Sequence, residues 1–231
     1  MDRHFLIAID GPSGAGKSTV AHALAEEFNI MHLDTGALFR ALAYAALEAG
    51  LDSQDPDQSA ALLDQVTLEI IFKDKKQKVL INGKDITSKI RTEEVSLAAS
   101  NISVHPTVRN YILEKERELA EKESFVLDGR DIGTVVLPNA DLKIFLLASP
   151  EIRAQRRLSD LLNAGISNTD YDQVLEDIKK RDAQDSNRDT APTKKADDAI
   201  LIDSSELSLE ETISMIKDIV AKKLETGNLN S

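Results

Sequence analysis

A buried strand, a glycine-rich loop and a helix follow one another at the start of this chain. Residues 5–9 form a continuous apolar run, typical of a strand buried on both faces of a parallel sheet. The loop after Asp10 reads Gly-Pro-Ser-Gly-Ala-Gly-Lys-Ser and matches G-x-x-x-x-G-K-[S/T] in full. Val20, Leu24 and Phe28 then lie on one helical stripe. This order predicts a βα unit with the loop at the carboxyl end of the strand.

Such a loop binds phosphate through its main chain. Small residues let consecutive N–H groups turn inward, the lysine adds a positive charge, and the serine hydroxyl can ligate Mg²⁺. The helix that follows directs the positive end of its dipole at the same anion. A turn that merely joins a strand to a helix is the alternative, but it does not require the whole motif in this context. We therefore predict a site for ATP or GTP with Mg²⁺ held by Ser18. Its residues are Gly11, Pro12, Ser13, Gly14, Ala15, Gly16, Lys17, Ser18 and Thr19.

The rest of the chain alternates strand and helix patterns. Apolar strand candidates lie at residues 30–33, 124–127, 142–148 and 199–202. With the first strand they predict an α/β fold with helices on both faces of a parallel sheet. Residues 66–72 instead alternate apolar and polar side chains, which predicts a half-buried antiparallel strand. The length of 231 residues suits one domain with an insert: a core at 1–59 and 106–231, and a small β insert at 60–105.

Composition excludes several classes of protein. The chain has no cysteine, which excludes disulfides, cysteine-ligated metal and thiol nucleophiles. A net charge of −12 disfavours nucleic acid and anionic lipid as partners. No apolar run approaches the ~20 residues that span a bilayer. Residues 1–10 lack a cleavage-site pattern, so we expect no signal peptide and a cytoplasmic protein.

Arginines at helical spacing suggest a second anion site. Arg153 and Arg157 lie four residues apart on a predicted helix and can face one groove. Arg181, Asp185 and Arg188 share one face of another predicted helix. A salt-bridged surface stripe is the alternative. Beside a phosphate loop, however, the pattern favours an anion site, because phosphoryl transfer needs several fixed positive charges.

Polar segments also follow two of the predicted strands, where ligands gather in open parallel sheets. They cover residues 33–40 and 127–133. A carboxylate that ends a strand beside a phosphate loop commonly holds Mg²⁺, directly or through water. Asp128 and Asp10 both have this position, and either can instead cap the next turn. The sequence leaves this choice open.

The residues described so far resemble the bacterial cytidylate (CMP) kinases, a family of nucleoside monophosphate kinases. The resemblance extends from residue 9 to about residue 224. Its motifs are I-D-G-P-S-G-A-G-K-S, L-D-T-G-A-L-F-R, I-R-T-E-E-V, D-G-R-D-I-G-T-V-V, K-I-F-L-L-A-S and R-D-A-Q-D-S-N-R. Many enzymes share the phosphate loop, whereas the D-G-R-D-I-G and R-D-x-x-D-x-N-R blocks are much more specific.

The resemblance implies a P-loop kinase core with a five-stranded parallel sheet, a β insert in the monophosphate-binding region and a helical lid at about residues 150–190. It also implies roles for individual residues. The residues implied to bind the cytosine are Ser100, Arg109 and Asp131. The residues implied to bind the sugar hydroxyls are Arg181 and Asp185. The residues implied to bind the acceptor phosphate are Thr35, Arg40, Arg130 and Arg188. The implied catalytic residues are Lys17, Arg130, Arg153, Arg157 and Arg188, of which Arg153 and Arg157 belong to the lid over ATP.

The implied activity is transfer of the γ-phosphoryl group of MgATP to CMP or dCMP by a monomer. Positioning and charge neutralisation would carry catalysis, because the acceptor oxygen is already anionic. One alternative is another small-molecule P-loop kinase, acting on UMP or on a non-nucleotide alcohol. Another alternative is a non-catalytic nucleotide-binding switch. Such a protein has no use for a second, arginine-rich anion site. The chain also lacks the Asn-Lys-x-Asp segment that recognises guanine. An acidic interaction protein with an incidental loop, the third, leaves Lys17 unexplained.

Overall fold

A computed structural model describes residues 4–163, 165 and 169–227. Residues 164 and 166–168 of the predicted lid lie outside the described residues, as do residues 1–3 and 228–231 of the predicted core. The chain forms two compact units. We call residues 5–30 and the described residues from 125 onward the phosphate-loop unit, and residues 4 and 31–124 the insert-bearing unit. The predicted insert at 60–105 falls within the latter, and its bounds stay a prediction.

Strands and helices alternate along most of the chain, as predicted. The strands are β1 Leu6–Asp10, β2 Met31–Asp34, β3 Leu68–Lys73, β4 Lys76–Ile81, β5 Lys84–Asp85, β6 Phe125–Asp128, β7 Leu142–Leu147 and β8 Ile200–Asp203. The helices are α1 Lys17–Glu27, α2 Thr35–Glu48, α3 Pro56–Leu63, α4 Glu93–Ile102, α5 Pro106–Ala120, α6 Pro150–Asn163, α7 Tyr171–Asn187 and α8 Leu209–Gly227. A π-helical turn spans Ile132–Val136.

The predicted five-stranded parallel sheet flanked by helices is confirmed. Its strand order is β2-β6-β1-β7-β8. In the phosphate-loop unit, Ile9 of β1 pairs with Asp128 of β6, and Asp10 pairs with Phe145 of β7. Ile7 and Ile9 are fully buried in a core shared with α1 and α8, which explains why this strand is apolar throughout. The parallel register brings Asp10 and Asp128 to the same edge of the sheet, beside the loop.

The insert-bearing unit contains the predicted antiparallel sheet, in the order β3-β4-β5. Its first hairpin pairs Leu68 with Ile81 at one end and Lys73 with Lys76 at the other. Asp74 and Lys75 form the turn with φ of 51° and 61°, the positive values that a two-residue type I′ turn requires. The second strand begins directly at Lys76, because the turn needs only two residues.

A capping box lies at the start of α8. Ser208 N–H donates to Glu211 Oε2 at 2.8 Å, and Glu211 N–H donates to Ser208 Oγ at 3.2 Å. Across the described residues, no helix combines the length and the apolar character that crossing a membrane requires.

Candidate active site

The phosphate loop connects β1 to α1 through backbone that only glycine adopts easily. Gly11, Gly14 and Gly16 have φ of 142°, 77° and 91°. A Cβ atom on Gly11 would lie 2.0 Å from the carbonyl oxygen of Leu146, so the loop packs against β7 without room for a side chain. Gly16 is the N-cap of α1 and makes no side-chain capping bond. The first N–H groups of the helix therefore point toward the loop, where an anion can accept from them.

Lys17 is the first residue of α1 and is only 5% exposed. Its Nζ donates to the carbonyl oxygen of Pro12 at 2.7 Å, so the ammonium group folds back over the loop. Burial lowers the pKa of Lys17 well below its ordinary value, and the nearby Arg130 lowers it further. An anion in the loop would oppose both effects and favour the charged amine. Thr19 lies in the same helical turn and is exposed.

The two carboxylates that end β1 and β6 have different partners. Ser18 Oγ donates to Asp128 Oδ2 at 2.6 Å. Asp10 instead accepts from the main-chain N–H groups of Ile132 and Gly133, both at 2.7 Å. Burial raises the pKa of Asp10 to about 6, although these two N–H groups partly oppose the shift. Asp10 therefore anchors the π-helical turn, whereas Asp128 lies against the hydroxyl predicted to bind Mg²⁺.

Oxygen donors of this kind suit Mg²⁺, which takes one or two protein ligands and completes its shell with water and substrate phosphates. Ser18 and Asp128 offer a hydroxyl and a carboxylate oxygen in direct contact. Within residues 4–163, 165 and 169–227, no group of three or more His, Cys, Asp and Glu side chains could hold a metal on its own. The donor set fits a metal that arrives with a nucleotide.

Two predicted arginines are each paired with a carboxylate, one on α7 and one just before the π-helical turn. Arg130 Nε donates to Asp185 Oδ2 at 2.8 Å, and Arg188 Nη2 donates to Asp131 Oδ1 at 3.3 Å. Burial by itself would raise the pKa of Asp185, but Arg130, Arg181 and Arg188 outweigh it and hold this pKa below its ordinary value. These five predicted residues thus form one connected group of charges within the phosphate-loop unit.

The two predicted lid arginines of α6 have unlike environments. Arg153 is 2% exposed, and its guanidinium donates to both oxygens of Asp182 at 3.1 and 2.6 Å. It also donates to the carbonyl oxygens of Ala148 and Ser13, at 2.8 and 3.0 Å. Arg157, one turn later, is exposed. Arg153 therefore links the phosphate loop to α7, and the structure does not bring Arg157 to the same contacts.

Three of these arginines, each paired with a carboxylate, are called the arginine cluster below: Arg130, Arg153 and Arg188.

A cavity of about 380 Å³ lies beside this linkage. Pro12 of the loop, Asp182 of α7, Thr193 and Ser205 are among its lining residues. Thr193 Oγ1 is buried and makes no hydrogen bond with any described residue. A buried hydroxyl left unpaired is costly unless a ligand or water completes it. The cavity therefore offers both space and a hydrogen-bonding group next to the phosphate loop.

The insert-bearing unit carries its own charged group at the start of α2. Asp34 is the N-cap of this helix, and its Oδ1 accepts from the N–H of Ala37 at 3.0 Å. Asp34 Oδ2 accepts from Arg40 Nη2 at 2.6 Å, and Arg91 Nη2 lies 3.9 Å from the same oxygen. Thr35 follows in the first turn and is 4% exposed. The structure thus brings the predicted Thr35 and Arg40 to one helix terminus.

The other two predicted residues of this unit lie close to one another on α4 and α5. Arg109 is 8% exposed and donates from Nη1 to the carbonyl oxygen of Ser103 at 3.2 Å. Ser103 Oγ in turn donates to the carbonyl oxygen of Ser100 at 2.9 Å. The Arg109 guanidinium also lies 5.6 Å from the ring centroid of Phe39, a cation–π contact. The carbonyl oxygen of Ser103 and the ring of Phe39 are thus two contacts of the Arg109 guanidinium.

Sequence reasoning missed three residues that organise these groups: Asp34, Asp182 and Gln77. Asp34 and Asp182 stand inside the quoted L-D-T-G and R-D-A-Q-D motifs. Each carboxylate pairs with a predicted arginine. A search of these motifs for acidic partners of the arginines could have identified both. Gln77 lies on β4 between two lysines, and no sequence pattern distinguishes it.

This chain is similar to known proteins over nearly its whole length. The sequence model of the cytidylate kinase family, described as "Cytidylate kinase", matches residues 7–222. The chain is 44% identical over 223 residues to the cytidylate kinase of Bacillus subtilis (strain 168), covering 96% of this chain and 99% of that protein. It is 46% identical over 224 residues to the cytidylate kinase of Geobacillus kaustophilus, covering 97% of this chain and 100% of that protein.

Solved structures show the fold alone. An uncharacterized protein from Eubacterium ventriosum has a TM-score of 0.52 at 18% identity, with 94% of this chain and 99% of that chain covered. A gluconokinase from Sinorhizobium meliloti has a TM-score of 0.50 at 15% identity, with 100% of this chain and 99% of that chain covered. Both comparisons cover nearly the whole length of each chain.

Proposed function

Because this chain belongs to the cytidylate kinase family, we propose that it transfers the γ-phosphoryl group of ATP, with Mg²⁺, to CMP or dCMP. The products are CDP or dCDP and ADP. The observation that carries the proposal is identity of about 44% over almost the full length of cytidylate kinases. The complete phosphate loop and the charged groups of both units supply the chemistry such a transfer needs.

The phosphate loop is the proposed site of the ATP phosphates. Its main-chain N–H groups and the start of α1 would bind the β-phosphate, and Lys17 Nζ would leave Pro12 O for a phosphate oxygen. The cavity beside Pro12 is the space that we assign to the nucleoside part of ATP. Arg153 supports this assignment, because it ties the loop at Ser13 to α7.

Ser18 and Asp128 are the proposed protein contacts of Mg²⁺, Asp128 directly or through water. When bound, the ion supplies positive charge that offsets the negative charge of the phosphates. The partners of Asp10 support Asp128 over Asp10, since both oxygens of Asp10 already accept main-chain hydrogen bonds.

The residue roles that the family resemblance implies are also proposed for the acceptor nucleotide. In the phosphate-loop unit, Arg130 and Arg188 are proposed for its phosphate, Asp131 for the cytosine, and Arg181 and Asp185 for the sugar. In the insert-bearing unit, Thr35 and Arg40 are proposed for the phosphate, and Ser100 and Arg109 for the cytosine. A carboxylate such as Asp131 accepts from the exocyclic amine of cytosine, whereas uracil presents a carbonyl there.

This chain needs no general base for the transfer, because the attacking phosphate oxygen is already anionic at neutral pH. Its contribution is to hold donor and acceptor in line and to stabilise charge that develops on the transferred group. Lys17 and the arginines are the proposed sources of that positive charge, with exposed Arg157 approaching ATP only when the lid closes.

An ADP-release assay with ATP and each of CMP, dCMP, UMP and AMP tests the proposal. We expect CMP and dCMP to give the highest kcat/KM. Turnover of UMP or AMP above that of CMP would overturn the proposed acceptor. Asp131→Ala is the informative variant within the same assay, because it should lower the ratio of kcat/KM for CMP to that for UMP while leaving the KM for ATP unchanged.

A further inference from the structure

Gln77 makes a two-point contact with the main chain of Asp34. The N–H of Asp34 donates to Gln77 Oε1 at 2.8 Å, and Gln77 Nε2 donates to the carbonyl oxygen of Asp34 at 3.2 Å. Gln77 lies on β4 of the insert sheet, and Asp34 is the last residue of β2. The side-chain amide therefore makes the two main-chain hydrogen bonds that a residue of a neighbouring strand would make with Asp34 at the end of β2.

Asp34 in turn determines where the Arg40 guanidinium lies. Its Oδ2 accepts from Arg40 Nη2 at 2.6 Å, while its Oδ1 caps α2 at Ala37. With both oxygens and both main-chain groups of Asp34 bound, the carboxylate has little freedom to rotate. The guanidinium also packs over Gly36, where a Cβ atom would lie 3.0 Å from Arg40 Nη1. The position of Arg40 therefore depends on Asp34 and on the lack of a side chain at Gly36.

One donor of Arg40 is left over. Its Nε is buried and makes no hydrogen bond with any residue that the structure describes. A buried guanidinium N–H without a partner is costly, and a bound anion would complete it. This donor points to a ligand at the start of α2, where the helix dipole also favours negative charge.

We propose that Gln77 is a positioning residue for the acceptor phosphate: it holds Asp34, and through Asp34 it places the Arg40 guanidinium for that phosphate. This inference rests on the proposed function, since it takes CMP as the ligand of Arg40. The antiparallel sheet would thereby help to position a residue that binds the acceptor. The packing of β4 against β2 and α2 is consistent with this role.

Calorimetric titration of CMP and of cytidine tests the proposal. The ratio of the cytidine Kd to the CMP Kd reports what the phosphate contributes to binding. Gln77→Leu keeps a similar volume and removes both hydrogen bonds, so we expect this ratio to fall about three- to tenfold, mostly by weaker CMP binding. The Kd of ATP should not change. Lys78→Ala is the matched control, because Lys78 lies on the same strand but pairs with Asp85.

A double-mutant cycle separates positioning from a merely structural effect. In an Arg40→Ala background, Gln77→Leu should change the ratio less than about twofold, since the residue it positions is gone. An unchanged ratio in the single variant, or an equal loss in both backgrounds, would overturn the proposal. If Gln77→Leu does not fold, Gln77→Glu serves in its place, because it keeps the acceptor for Asp34 N–H and loses the donor. A wild-type protein that binds CMP no better than cytidine would instead refute the proposed function.

Discussion

The phosphate loop and the arginine cluster lie in the same unit, but they fix their positive groups by different means. The loop uses main-chain N–H groups, which its three positive-φ glycines and the start of α1 orient. The arginine cluster uses long side chains, each held by a carboxylate. Its pairs are Arg130 with Asp185, Arg153 with Asp182 and Arg188 with Asp131.

This difference determines how each region responds to substitution. In the loop, the glycines, Lys17 and Ser18 are the residues whose replacement should have a large effect, because the other donors belong to the main chain. In the arginine cluster, the acidic partner matters as much as the arginine. A carboxylate that touches no ligand can still alter binding, because it sets where the guanidinium lies.

The largest effect is expected from Lys17→Ala. Removal of the only mobile charge proposed for the loop should lower kcat about 10³-fold in the coupled kinase assay. The melting temperature should not fall, because burial already disfavours the charged form of this lysine. Lys180→Ala, which removes an exposed lysine paired with Glu176, is the control. A kcat within tenfold of the wild type would mean that the main chain of the loop suffices without Lys17.

Asp182→Asn tests the carboxylate-dependent behaviour of the arginine cluster. Loss of the charge that holds Arg153 should lower the free energy of unfolding by about 2 kcal/mol. It should also raise the KM for ATP about three- to tenfold, since Arg153 supports the loop at Ser13, and leave the KM for CMP unchanged.

The pair of Glu151 and Lys179 provides a matched control, because it links the same two helices at an exposed position. Glu151→Gln should change the free energy of unfolding by less than about 0.5 kcal/mol and neither KM. If Asp182→Asn behaves like Glu151→Gln in urea titrations and in kinetics, Arg153 does not depend on its carboxylate and the contrast between the two regions fails.

The third prediction concerns Asp10, which joins the two regions because it precedes the loop and binds the turn after Asp131. Its pKa rises from 3.8 to about 6 on folding, so the folded protein retains a proton that the unfolded chain has lost. The stability this provides is complete below about pH 4 and is lost as the pH rises through 6. The loss amounts to about 3 kcal/mol.

Asp10→Asn removes this dependence. We therefore expect the difference in free energy of unfolding, wild type minus variant, to fall by about 2 kcal/mol between pH 4 and pH 7 in urea titrations, because part of the total has already been lost at pH 4. Glu211→Gln should show the opposite sign. The hydrogen bonds from Ser208 lower the pKa of Glu211, and the stability they provide is lost as the pH falls. A pH-independent difference for Asp10→Asn would show that burial does not perturb this carboxyl group.

Local patterns in the sequence predicted most of the fold. The buried strands and the antiparallel strand of the insert each depend on neighbours within a few residues. The phosphate loop was predictable for the same reason, since its function follows from consecutive main-chain groups. The roles assigned to single residues of the acceptor site came from resemblance and remain predictions.

Long-range packing decided what the sequence left open. Asp10 and Asp128 are equivalent in sequence, and only the partners they meet, two main-chain N–H groups and the Ser18 hydroxyl, distinguish them. Arg153 and Arg157 share a helical spacing, yet one is buried and the other exposed.

The sequence by itself determined the order of strands and helices and the phosphate loop, because both follow from the periodicity and steric limits of adjacent residues. Only the tertiary structure decided which carboxylate serves which partner and that Gln77 binds Asp34. These contacts join residues 43 or more positions apart, and the folded backbone alone brings such residues within hydrogen-bonding distance.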